Sequence, residues 1–176
     1  YTALSATLLG LVALVIASAA HRMALYQASF GLTEMRVFVL AFEAWMVGLL
    51  AWFGASVLRG QAERFALGAV AWGFVGVVGL HVPNLEAAIV HANVDAERPL
   101  ALDVYYLTTL SDDAVPALAA ALPRLGPDSR KTVEARLERA AARPWDWRTA
   151  NLSRWRAAHT AIDYFHVAAP TARVQS

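Results

Sequence analysis

The chain has no cysteine. That removes a disulfide framework, a thiolate metal site and a thiol nucleophile at once. It is also short of charge: 16% of its 176 residues are charged against 58% hydrophobic, where a soluble domain carries about a quarter charged. The formal net charge is only +1. No basic stripe exists to displace counterions, so nucleic acid is not an expected partner. There is no Walker lysine, no glycine-rich phosphate loop and no nucleophile elbow. Period-two alternation of the β type is missing throughout.

The scarcity of charge is uneven. Residues 1–82 hold Arg22, Arg36, Arg59 and Arg64 with Glu34, Glu43 and Glu63; the remainder carries eleven basic and eleven acidic residues. The first part contains three long apolar runs, about 1–20, 37–58 and 65–82. About 20 apolar residues in a helix span the hydrocarbon layer, and backbone in lipid must satisfy itself, which selects helices. The expected fold is all-α: three transmembrane helices, then a small soluble helical domain over 83–170 and a frayed tail over 171–176. Between the first two spans, 21–36 mixes Met23, Leu25, Tyr26 and Phe30 with polar residues, a composition suited to a separate interfacial segment broken at Gly31. Thr33 reads as an N-cap with Glu34 in the first turn. Arg59–Arg64 is short enough to make the second and third spans a tight antiparallel hairpin. Residue 1 is Tyr inside an apolar run, which suggests a longer protein with further spans upstream.

In the second part, Asn84 marks a helix start, and a second helix is expected over 101–110 with Leu100, Val104 and Leu107 on one face. Ser111-Asp112-Asp113 is a start signal, with Asp113 as the cap and Pro116 in the tolerant first turn. A fourth helix begins near Asp128 or Ser129 with Val133, Leu137, Ala140 and Ala141 as its inner stripe. A last helix is expected over 151–167, with Leu152, Trp155, Ile162 and Phe165 inward.

Four phrases stand in order: HRMALYQASFGLTEMRVFVLAF (21–42), NLEAAIVHANV (84–94), LDVYYLTTLSDDAVPAL (102–118) and DWRTANLSRWRA (146–157). Together they resemble the C-terminal region of a family of bacterial multi-pass membrane proteins known as a domain of unknown function (4173, with its relative 4153). The resemblance implies a bacterial membrane protein. It carries no activity, cofactor or catalytic residue.

Several side chains remain as candidates for chemistry. Glu43 lies inside a span, where a charge costs about 2.5–3.5 kcal/mol on insertion scales. It could pair with Arg36 two turns back or with another helix, be protonated, or serve a proton or cation relay. Gly48, Gly54, Gly68, Gly73, Gly76 and Gly79 suggest close helix packing, and Trp45, Trp52 and Trp72 suggest lipid or subunit contacts. His159, Asp163 and His166 share a helical stripe, a weak metal candidate because the third group reaches poorly; His91 with Asp95 is weaker. His81, closing the third span, could ligate a haem or chlorin metal but more ordinarily anchors at the headgroups. Trp145, Trp147 and Trp155 sit near Arg148, Arg154 and Arg156, a combination found at interfaces and in small helical cores. Asp112 and Asp113 are assigned to capping rather than acid–base work.

No catalytic residue and no cofactor is expected; lipid contacts are. The leading function is a non-enzymatic accessory or assembly subunit of a larger membrane complex, with the bilayer and other membrane proteins as partners. A transporter or signalling component using Glu43 comes second, and a membrane-anchored metal-dependent enzyme third. The expected location is the bacterial inner membrane. Arg59 and Arg64 on one side against Arg22, Arg36 and Arg98 on the other give no orientation by the positive-inside rule.

Overall fold

A computed structural model describes residues 2–81, 83–96, 102–144 and 146–172. It is helical, with no β-strand among the described residues. The chain divides into two compact units, Tyr1–Pro83 and Asn84–Ser176.

The first unit has three helices, each long and apolar enough to cross a membrane: α1 (Thr2–Phe30), α2 (Glu34–Ser56) and α3 (Ala62–His81). The expected break after residue 20 does not occur. No Gly or Pro interrupts 21–30, so α1 continues for 29 residues, about 44 Å at 1.5 Å per residue against a hydrocarbon core of about 30 Å. It stops where Gly31 takes φ 85° and its N–H donates to Gln27 O at 2.9 Å, a left-handed cap open to glycine. Residues 21–30 are therefore the end of α1 rather than a separate interfacial element.

Thr33 caps α2 as its position suggested, its Oγ1 accepting from Arg36 N at 3.4 Å. A short turn with Gly60 at φ 78° reverses the chain into α3. The middle helix, α2, packs against both α1 and α3. On α1 the half-buried positions Ser5, Leu9, Ile16, Ala20, Met23 and Gln27 recur at three-, four- and seven-residue steps, the spacing of a left-handed seam.

The second unit contains α4 (Leu85–Asp95), α5 (Val104–Thr109), a 3-10 turn (Asp112–Ala114), α6 (Val115–Ala121), a second 3-10 turn (Leu122–Arg124), α7 (Pro127–Ala141) and α8 (Leu152–Ala172). Asn84 Oδ1 caps α4 by accepting from Ala87 N at 2.9 Å. Its Nδ2 donates to Asp113 O at 3.0 Å, tying this cap to the following helical turn. Asp103 caps α5 through Tyr106 N at 2.9 Å; Leu100, expected on that helix's face, lies outside the described residues. The core comprises Ile89, Val90, Leu107, Leu118, Val133 and Leu137, all at most 1% exposed.

Two expectations fail here. Ser111, not Asp113, caps the next segment, its Oγ accepting from Asp113 N at 3.3 Å. On α8 the inner stripe is Ala157 and Ala161, while Leu152, Trp155 and Ile162 are 59%, 49% and 39% exposed. Phe165 is half-buried. Alanines let the α8 backbone approach α6 and α7 closely, and the larger side chains are left on the outer flank. The helix also runs past 167 to Ala172. Of the expected frayed tail, residues 173–176 lie outside the described residues.

Candidate functional site

Between α2 and α3 the glycines and tryptophans interlock. A Cβ on Gly48 would enter the Trp72 ring, one on Gly68 would enter the Trp52 ring, and one on Gly76 would stand 2.9 Å from Trp45. The pairs 45/76, 48/72 and 52/68 follow one antiparallel register, with the tryptophan contributed alternately by each helix. Trp72 Nε1 donates to Trp45 O at 2.8 Å and Trp52 Nε1 to Phe65 O at 3.3 Å, so neither indole N–H is left bare in an apolar medium. Sequence reasoning found the packing glycines but assigned these tryptophans outward; their rings occupy the glycine gaps. Gly54 faces α1, where its added Cβ would meet Leu9 at 3.3 Å. Gly73 and Gly79 have open space.

Glu43 stands eleven residues, about three turns, before Gly54 and so shares the face of α2 that Gly54 turns to Leu9 of α1. The Leu9–Gly54 contact sets an antiparallel register that brings Ala20 level with Glu43. Glu43 Oε2 is buried and has no hydrogen-bond partner among the described residues. Arg36 does not answer it. Its Nη1 donates to Gly31 O, and its guanidinium lies 5.9 Å from the centre of the Phe30 ring.

The strongest polar cluster is in the second unit and centres on Asp112. Its Oδ1 accepts from Arg136 at 2.9 Å, and its Oδ2 from Arg143 at 2.8 Å with Arg154 at 3.9 Å. Arg136 is buried, at 7% exposure. Burial alone would raise the Asp112 carboxyl; the Arg136 hydrogen bond and the charges of Arg143, Arg136 and Arg154 overcome it and hold the group below the usual carboxylate range. Three guanidinium groups meet one carboxylate, a surplus of positive charge. Capping does not explain Asp112. The available signal was Arg136 itself, three residues after Val133 and four before Ala140, hence on the buried stripe of α7, where a charge needs a partner.

Beside this cluster a cavity of about 220 Å³ opens between the end of α7, the following loop and α8. Arg143 and Arg154 line it with Trp155, Ala158, His159 and Ile162. Trp155 and His159 stack with centroids 4.2 Å apart. Trp147, 75% exposed, carries Arg148 over its ring at 5.4 Å. Trp145 lies outside the described residues. The arrangement presents apolar walls next to half-exposed guanidinium groups.

The histidines are dispersed. His159 Nδ1 lies 2.9 Å from Trp155 O, and His81 Nδ1 lies 2.7 Å from Val77 O; a carbonyl can only accept, so each Nδ1 carries the hydrogen. His159, Asp163 and His166 are exposed. Among the described residues no three His, Asp or Glu groups converge in a way that could hold a metal. Asp95 pairs with Arg124, not His91.

The family described as Domain of unknown function (DUF4153) matches residues 1–121. The chain belongs to that family. The match covers α1 to α6, so the spans and the Ser111 cap fall within the family domain, while α7 and α8, which supply the arginines around Asp112, lie beyond the matched residues. No curated protein and no solved structure matches the chain. DUF4153 membership and the three apolar helices together make it a membrane protein of unknown function.

Proposed function

We propose that this DUF4153 protein is a non-enzymatic accessory or assembly subunit of a larger complex in the bacterial inner membrane. The observation that carries the reading is the packing of α8: alanines inward, Trp155, Leu152 and Ile162 outward, beside Arg143 and Arg154. Buried aromatic and arginine anchors dominate protein interfaces. A partner presenting an apolar side chain next to an acid fits the walls and the surplus charge.

The test is extraction in a mild detergent followed by mass measurement of the intact assembly. Other membrane proteins are expected in stoichiometric amounts, and Trp155→Ala is expected to release them while leaving the chain folded. A lone monomer under the mildest conditions overturns the proposal.

A second reading, a transporter or signalling component using Glu43, is favoured by one observation: the buried carboxyl oxygen of Glu43 within α2, which has no hydrogen-bond partner among the described residues. Glu43→Gln with full retention of a proton-coupled phenotype removes it.

A further inference from the structure

We infer that the cavity between the end of α7, the following loop and α8 is a binding site for a small organic monocarboxylate, with the carboxylate on Arg143 and Arg154 and a short aromatic or branched body on Trp155 and Ile162. The two arginines stand side by side, because both turn to the same oxygen. Arg143 reaches Asp112 Oδ2 at 2.8 Å, and Arg154 stops at 3.9 Å, beyond hydrogen-bond reach. A guanidinium has several N–H donors. Among the described residues Arg143 gives one to Asp112, and Arg154 gives one to Thr149 O at 2.9 Å. Their side chains are 41% and 31% exposed, so the remaining donors face water or a ligand.

The local charge selects a monoanion. The acids of the cavity are Asp112 and Asp146, and Asp146 Oδ1 accepts from Arg148 N at 3.0 Å within its own turn. Set against Arg136, Arg143 and Arg154, they leave one positive charge. A phosphate dianion would bring its second charge against those two acids. A carboxylate presents two oxygens in one plane, the shape that a guanidinium fork binds through paired N–H groups. The walls select the body. His159 is stacked on Trp155 with its Nδ1 committed to the Trp155 carbonyl, so it serves as a wall. Ala158 and Ile162 continue the same face of α8, and Ala158 is small enough to leave the space open. The volume is about 220 Å³. A cavity of about 150 Å³ holds benzene, and drug-sized ligands take about 300–1,000 Å³. One ring or branched chain with a carboxylate therefore fits, and a lipid acyl chain does not. The inference shares this cavity with the assembly reading but does not rest on it. A chain found alone in mild detergent removes assembly and leaves the ligand site standing.

The full chain in phosphatidylcholine nanodiscs is titrated calorimetrically with phenylacetate, phenylacetamide, acetate and inorganic phosphate, with empty nanodiscs as the baseline. Phenylacetate is expected to saturate one site. It should bind about tenfold or more tightly than each of the others, the factor that a charged hydrogen bond or a buried ring supplies. Arg154→Gln removes a guanidinium and Ala158→Phe fills the space; each is expected to weaken phenylacetate by a similar factor. In the wild type, phenylacetate is expected to slow hydrogen exchange in peptides within 142–162. Should either variant fail to fold, the wild-type ranking and that protection decide. Absence of saturable binding, equal binding of the acid and the amide or of phenylacetate and acetate, or tighter binding of phosphate overturns the inference. So does unchanged affinity in a folded variant, or protection confined to other segments.

Discussion

At the scale of single residues, Asp112 has the largest structural consequence. Its side chain is 15% exposed and that of Arg136 8%, so the pair is largely withdrawn from water. Asp112→Asn leaves a buried guanidinium without its anion, and removing one partner of a buried pair costs about 3–5 kcal/mol. Hydrogen exchange of the α6 and α7 amides in the full chain is expected to accelerate accordingly. The pH dependence follows in sign. A carboxyl held below its unfolded value contributes stability that is fully present above about pH 3.9. That contribution falls away as pH drops through the folded value. Acid should therefore loosen the second unit in the wild type, and Asp112→Asn should remove that component. By contrast the exposed Asp95–Arg124 pair, with both side chains about half exposed, belongs to the class worth about 0–1 kcal/mol, and Asp95→Asn is expected to change little.

At the scale of elements, the α2–α3 hairpin and α8 make opposite uses of small residues. In the hairpin, glycines make room for tryptophan rings. Gly68→Ala has to displace Trp52, and overpacking of this kind costs about 1–3 kcal/mol; denaturant titration in bicelles is expected to show that loss. Gly73→Ala meets open space and is expected to be neutral, or to gain about 0.5–1 kcal/mol from the better helix former. Equal losses at both glycines would refute the interlocking. On α8, Ala161 is 0% exposed, so Ala161→Leu should destabilise by a similar 1–3 kcal/mol, whereas truncating the outward Trp155 should not.

What the sequence revealed and concealed follows the same division. The three spans, the Thr33 and Asn84 caps and the α7 stripe at Val133 and Leu137 were legible, because run length, local capping and helical period are local properties. The inner face of α8 was not, because alanines and large apolar residues lie on adjacent flanks of that helix and hydrophobicity alone favours the larger ones. The end of α1 was misread because polar residues at 21–29 resemble an interfacial break, while the helix is stopped only by Gly31. The clustering of arginines on Asp112 joins residues 24 to 42 positions apart; Arg136 on the α7 stripe signalled a buried charge in need of a partner, but no local pattern named that partner.

At the scale of the whole molecule, the two units differ in the surface they present. The three helices of the first carry apolar residues around most of their surface: Leu14, Val15, Leu67 and Phe74 are 67–78% exposed, which water would penalise and lipid does not. The second unit has its own core from α4 to α8 and as many acids as bases. A protease site inserted after Pro83, in chain reconstituted into liposomes without other proteins, should therefore separate them cleanly. Residues 84–176 are expected in the aqueous supernatant, folded, and residues 1–83 in the pellet even after alkaline carbonate. The outward face of α8 sharpens the outcome. If its Trp155, Leu152 and Ile162 meet protein, as proposed, the released unit leaves bare liposomes and is retained only in native membranes. Retention on bare liposomes would instead mean that this face lies on lipid, and the Trp–Arg surface would no longer support a protein partner.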